Sequence, residues 1–166
     1  MNDILIKQCR AEDLALLAKT IPPLRFHKNR FKHQEKGDSI YLIAWFGDIT
    51  VGHLNLKFKG SDEEYVKSKL GLMPELNAIG VDPPEMRSRG IGRKLINEAE
   101  KVCREKGFKR VGLAVDTSNI RAEELYKKIG YLDSGIGEFD SIWYDTKEDG
   151  YREKYIDHCI YLVKDL

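Results

Sequence analysis

The stretch that most constrains this chain is Arg87-Ser88-Arg89-Gly90-Ile91-Gly92-Arg93-Lys94. A strand-like apolar run, residues 76–81, enters it through Asp82-Pro83-Pro84. A helical pattern leaves it at once: Leu95, Ile96, Ala99, Val102 and Cys103 recur at helical spacing until Gly107. The order is therefore strand, glycine turn, helix start. Gly90 and Gly92 lack a Cβ, so the main chain there can take unusual dihedrals and approach a ligand closely. The first amides of a helix have no internal acceptor, and the aligned peptide dipoles place partial positive charge beside them. Arg87, Arg89, Arg93 and Lys94 add four cations around the turn. Such a turn suits a polyanion, a phosphate or a pyrophosphate.

Two familiar phosphate sites fail the spacing test. No Gly-x4-Gly-Lys-Ser/Thr is present, and the third glycine of a dinucleotide fingerprint would fall on Leu95. What remains is Arg-x-x-Gly-x-Gly at Arg87, Gly90 and Gly92. Six such residues out of context read as a tight turn with solvated cations. A second block changes that reading: Asn119-Ile-Arg-Ala122-Glu-Glu-Leu125-Tyr126-Lys-Lys-Ile-Gly130-Tyr131. The two blocks, in this order and at this separation, resemble the GNAT superfamily of acyl-CoA-dependent N-acyltransferases. The resemblance spans about residues 75–131.

The bulk numbers agree with a small enzyme. At 166 residues, one domain over residues 1–166 is the expectation, and such a chain can bury a full core. A net charge of +1 gives no reason to expect nucleic acid or an anionic membrane as partner. The basic cluster is local, which suits one small anionic ligand. Cys9, Cys103 and Cys159 are scattered, an unpaired set that fits a reducing compartment. With no signal-peptide pattern and no apolar run of membrane-spanning length, the expectation is a cytoplasmic protein. His27, His33, His53 and His158 show no metal-ligand spacing, so no metal is expected.

Read in order, residues 4–9 form a first strand, and Asp13 caps a helix that Pro22-Pro23 ends. Residues 25–36 are basic with Phe26 and Phe31 interleaved; they read as a solvated amphipathic segment, with a second short helix before Gly37 as the alternative, and the resemblance would make them part of the acceptor-site wall. Residues 39–46 and 50–57 form a hairpin across Gly47-Asp48, and residues 61–70 a polar surface excursion. Strands follow at 75–81 and 110–115 around the long helix, and Gly130 ends the helix of the second block. Residues 135–154 are a long irregular stretch rich in aromatics and acids before a final strand at 156–163. The class is α/β. The resemblance makes it a mixed, mostly antiparallel GNAT-like sheet with helices on both faces, whose strands before the glycine turn and after the long helix splay apart. Neither the splay nor the strand order is visible in the sequence.

The resemblance also implies a chemistry: transfer of an acetyl group from acetyl-CoA, as co-substrate, to a primary amine by direct attack in a ternary complex. A non-catalytic acyl-CoA-binding module is the alternative. Tyr126 occupies the motif position that protonates the departing CoA sulfur, although by periodicity alone its ring would simply pack beside Ala122, Leu125 and Ile129. Glu75, at the start of the strand, is the general-base candidate, with Asn77 and Asp82 as rivals. Ile79, Gly80 and Val81 would supply main-chain contacts to the pantetheine arm, with a backbone N–H near Val81 facing the developing oxyanion. Arg87, Ser88, Arg89, Gly90, Ile91, Gly92 and Arg93 would hold the pyrophosphate mainly through amides, with Arg89 or Arg93 reaching the ribose phosphate. Asn119 would bind the cofactor or cap its helix. Acids of the 135–154 stretch, Asp140, Asp145 and Asp149, are candidates for holding a cationic acceptor. The family commonly dimerises, and no feature of this sequence fixes the state.

Overall fold

A computed structural model of the protein describes residues 3–166. In chain order the elements are β1 (Ile4–Gln8), α1 (Leu14–Thr20), α2 (Leu24–Glu35), β2 (Ser39–Phe46), β3 (Ile49–Lys57), α3 (Glu64–Leu70), β4 (Glu75–Val81), α4 (Ile91–Glu105), β5 (Arg110–Asp116), α5 (Ile120–Lys128), β6 (Leu132–Asp133), β7 (Phe139–Thr146) and β8 (Arg152–Asp165). The sheet runs β1-β2-β3-β4-β5-β8-β6, and β7 pairs with the first half of β8. Every pairing is antiparallel except β4 with β5.

That exception shapes the molecule. β4 and β5 pair at a single register point, Glu75 against Gly112, and beyond it they diverge. Parallel strands need a crossover between them, and here α4 supplies it. The α4 stripe of Ile91, Leu95, Ile96, Ala99 and Cys103 is buried against Leu42, Leu54, Leu56, Leu76, Leu113 and Leu162. Each fully buried leucine or isoleucine contributes roughly 1.5–3 kcal/mol.

The opposite face carries two smaller clusters. Under α1 and α2, Leu17 packs on Tyr41, Ile43, Trp45 and Cys9. Beside α3, Val66 and Met73 pack on Phe139, Cys159 and Tyr161. Asp13 stands just before the first helix, as expected, but its side chain does not cap it; the carboxylate instead accepts the Arg10 amide behind it at 2.8 Å. Residues 24–35 are a full helix with His27 buried, so this segment is more than a solvated excursion. Residues 64–70 are a short helix anchored by Val66 and Leu70, which stand four apart on one face and pack on the same cluster.

The 135–154 stretch is not irregular. It contains β7 and the turn to a β8 that begins at Arg152, four residues before the expected start. Clustered acids and glycines obscured the alternation. Phe139 and Asp145 face inward while Asp140, Ile142 and Tyr144 face out. The three acids read as one acceptor-binding group therefore separate. Asp145 is buried between Arg25 and Lys147, Asp140 pairs with His158 on the other face of the ribbon, and Asp149 accepts the Tyr151 amide in the turn.

Candidate active site

The divergence of β4 from β5 opens a cavity of about 170 Å³. Its walls are Leu76, Asn77, Ala78 and Ile79 on β4, Leu113 to Asp116 on β5, and Asn119, Ala122 and Tyr126 on the entry and face of α5. Side-chain alternation assigns the two sides. Leu76 and Leu113 point to the α4 face and are buried there. Asn77 and Ala114 point to the opposite face and are exposed. Residues pointing to both faces of the sheet thus line the gap.

β4 does not run straight along this gap. Asn77 pairs with Asn55 and Gly80 with His53, so Ala78 and Ile79 together stand opposite Leu54 alone. This is a β-bulge, with Ala78 at φ +50°. Main-chain groups of a bulge lose their ladder partners, which frees them for a ligand.

The glycine turn adopts the conformation its residues dictate. Gly90 caps α4 at φ +77°, where a side chain would be strained, and its carbonyl accepts the Lys94 amide at 3.0 Å. Gly92 is different. It lies inside α4, and a Cβ there would meet nothing nearer than Leu125 Cδ2 at 3.9 Å. Packing does not require a glycine at 92, so close approach of something outside the chain is what its missing Cβ permits.

The cations sort themselves by partner. Arg87 donates to the Val81 carbonyl at 3.0 Å and to Asp82 at 3.0 Å, so it braces the end of β4 rather than facing the turn. Lys94 reaches the Ile4 carbonyl at 3.4 Å. Arg89 and Arg93 are exposed beside the turn. Arg121 on α5 donates to the Ser88 hydroxyl and ties the turn to the second motif helix. The sequence reading passed over Arg121, and no local pattern marks it; only the fold brings residue 121 to residue 88.

Tyr126 lines the cavity from α5, edge-on to Tyr131 with ring centroids 6.2 Å apart. Burial pushes its hydroxyl up to about 12, so it is a neutral donor at physiological pH. Asn119 caps its helix, as one of the two expectations had it, its side chain accepting the Ala122 amide at 3.2 Å, and it also lines the cavity. Ile79 is in the wall, whereas Gly80 and Val81 lie past it in the β3 pairing. Glu75 does not reach the cavity wall. It sits where the strands still pair, is 4% exposed, and accepts the Tyr161 hydroxyl at 3.1 Å. Burial raises its pKa, while Lys57 and Tyr161 act the other way. Asn77, one of its rivals, is in the wall, and Asp82 is held by Arg87.

Comparison with known proteins decides the family. The acetyltransferase (GNAT) family matches residues 8–131, well over half of the chain. The protein belongs to the GNAT family. Thialysine N-epsilon-acetyltransferase of Bos taurus is 44% identical over 50 residues, 30% of this chain and 29% of that one. The chain covers 35% or less of the length of five curated relatives that it matches. Two solved structures share the fold along the whole length. PaiA N-acetyltransferase from Thermoplasma acidophilum, in complex with coenzyme A, has a TM-score of 0.64 at 18% identity, over 99% of both chains. Arabidopsis thaliana Naa50, bound to a bisubstrate analogue joining CoA to a short peptide, has a TM-score of 0.67 at 20% identity, over 98% of this chain and 99% of that one.

Proposed function

We propose that this GNAT protein transfers an acetyl group from acetyl-CoA to the primary amine of a small molecule or peptide, both bound at once. One observation carries the reading: a gap in the sheet lined by residues of both faces, with a neutral tyrosine and the glycine turn that starts α4 on one side and exposed Asn77 and Ala114 on the other. The pyrophosphate would lie on the amides of residues 88–93, close to Gly92, with Arg89 or Arg93 on the ribose phosphate. The pantetheine would follow residues 79–81, and a main-chain N–H of this bulged stretch would face the carbonyl oxygen as charge develops there.

The proton ledger limits what Tyr126 can do. Full transfer from a phenol near 12 to a thiolate of pKa about 8.5 costs on the order of 5 kcal/mol. Tyr126 therefore acts as a hydrogen-bond donor to the departing sulfur, and the net proton comes from the amine. An alkyl amine of pKa about 10 arrives as ammonium and must lose a proton first. The Glu75–Tyr161 pair, on the acceptor side of the sheet, is the proposed sink for that proton, reached past Asn77. Thiol release followed across an amine and peptide panel tests the reading. Acetyl-CoA binding without release for any amine would leave only the acyl-CoA-binding module.

A homodimer belongs to the same reading. The outer face of the β7–β8 ribbon exposes Ile142, Tyr144 and Ile156. Glu138, Asp140 and His158 lie at one end, Arg152 and Lys154 at the other. Ile142 pairs with Ile156 at the middle, so a two-fold axis there would set each acidic end on the partner's basic end. The ribbon face is roughly 23 Å by 10 Å, small for a stable interface, so the association would depend on concentration.

A further inference from the structure

The bulge in β4 is held from both sides. On the α4 face a Cβ at Gly52 would lie 2.9 Å from the Gly80 carbonyl oxygen and 3.2 Å from Ile91 Cγ2. On the other face a Cβ at Gly80 would lie 2.7 Å from His53 Nε2 and 3.1 Å from His53 Cε1. Gly80 is therefore clamped between the bare main chain of Gly52 and the ring of His53. Only glycine fits at either position, and the clamped residue follows the bulge directly.

His53 cannot move aside easily. It is 8% exposed and boxed by His27, edge-on at 5.8 Å, and Tyr41, tilted at 6.0 Å. Burial and the nearby Arg30 hold its imidazole down to about 3, so the ring is neutral and can lie against main chain without a counter-ion. The buried Nδ1 finds no hydrogen-bond partner among the described residues. The ring thus lies against Gly80, the residue that directly follows the bulged pair Ala78 and Ile79.

From this geometry we infer that His53 is a positioning residue: it fixes the β4 bulge, and through the bulge it aims the main-chain N–H that faces the thioester carbonyl. It touches neither coenzyme nor acceptor. The inference rests on the proposed acetyl transfer for its catalytic half and on steric contact alone for the clamp.

Two sets of variants test it. In the first, His53→Leu lowers kcat about 10²-fold, the loss expected when a reacting group is displaced by ~1 Å, while the acetyl-CoA KM stays within about threefold. His53→Gln, which keeps a planar polar group of similar reach against Gly80, regains most of kcat. The amine is whichever panel member supports thiol release, or water, read as slow acetyl-CoA hydrolysis, if none does. Rates are expressed per acetyl-CoA-binding site counted by calorimetry, so a merely unfolded fraction does not count as lost turnover. In the second set, Gly80→Ala lowers Tm in the natural background and has at most half that effect in His53→Ala, because the added methyl then has room. Equal kcat per site for natural protein, His53→Leu and His53→Gln would overturn the catalytic half. An equal Tm loss from Gly80→Ala in both backgrounds would overturn the clamp. Natural protein that binds no acetyl-CoA would instead overturn the proposed function and the catalytic half with it, and the Tm coupling would still decide the clamp.

Discussion

Gly92 separates what the fold needs from what the ligand needs. Gly90 is held at φ +77° and serves the backbone. Gly92 has helical neighbours and free space at its Cβ position. Gly92→Ala should therefore raise stability, by up to about 0.5 kcal/mol in a first helical turn, while weakening acetyl-CoA binding. Thermal unfolding and calorimetry on the same sample check both signs. Tyr126→Phe should lower turnover about 10²-fold, the low end for losing one hydrogen bond to developing charge, and leave acetyl-CoA affinity intact. Glu75 makes a prediction through pH. Its folded-state pKa is raised by burial, so the native state favours the neutral acid, and natural stability falls as pH rises through that value. Glu75→Gln keeps an acceptor for Tyr161 and carries no charge. Its Tm should match the natural protein near pH 4 and exceed it at pH 8. If the acid limb of the pH–rate profile survives this substitution unchanged, Glu75 is not the base.

Among the elements, β4 sets the cavity and an α2–β7 ion pair ties down the sheet face opposite α4. β4 borrows its position from three neighbours: one register point with β5, a bulged ladder with β3, and Arg87 folded back onto Val81. On the face opposite α4, Arg25 on α2 grips Asp145 on β7 through two bonds of 3.0 and 2.8 Å, and Lys147 adds a third cation–carboxylate contact. Arg25 and Lys147 hold the Asp145 carboxyl down to about 2. A lowered folded-state pKa means the stabilisation is present above the usual carboxylate range and is lost as pH falls from about 4 towards 2. Asp145→Asn should lower Tm at pH 7 and shrink the gap to the natural protein by pH 2.5. A gap that stays constant between those pH values would show that the pair contributes no linked stability.

For the whole molecule, the sheet is both scaffold and aperture. Helices cover its two faces, and among the described residues the one place where neighbouring strands pair at a single register point is where the proposed function puts both substrates. No described helix is long and apolar enough to cross a membrane. The β7–β8 ribbon supplies the remaining molecular-scale prediction. Sedimentation velocity over a wide concentration range should show reversible dimers, and Ile142→Asp should abolish them while leaving the fold intact. A natural protein that stays monomeric at several hundred micromolar would remove the ribbon as an interface.

The sequence alone carried the local chemistry. Arg87, Gly90 and Gly92 announced a turn with amides turned outward, and Asn119 to Tyr131 announced the helix that faces it, because backbone freedom and helical spacing are properties of adjacent residues. It also carried the family and the alternation of strands with helices. Three things belonged to tertiary structure alone. The splay depends on which strands pair and where pairing stops. The bulge at Ala78 depends on a counting mismatch with β3. The contacts of Arg121 with Ser88, Arg25 with Asp145 and Glu75 with Tyr161 join residues 33, 120 and 86 positions apart. Local rules act over a few residues, whereas the meeting of distant side chains is fixed only when the whole core closes. That is why Glu75 reads as an open strand-end carboxylate in the sequence and is a buried partner of Tyr161 in the fold.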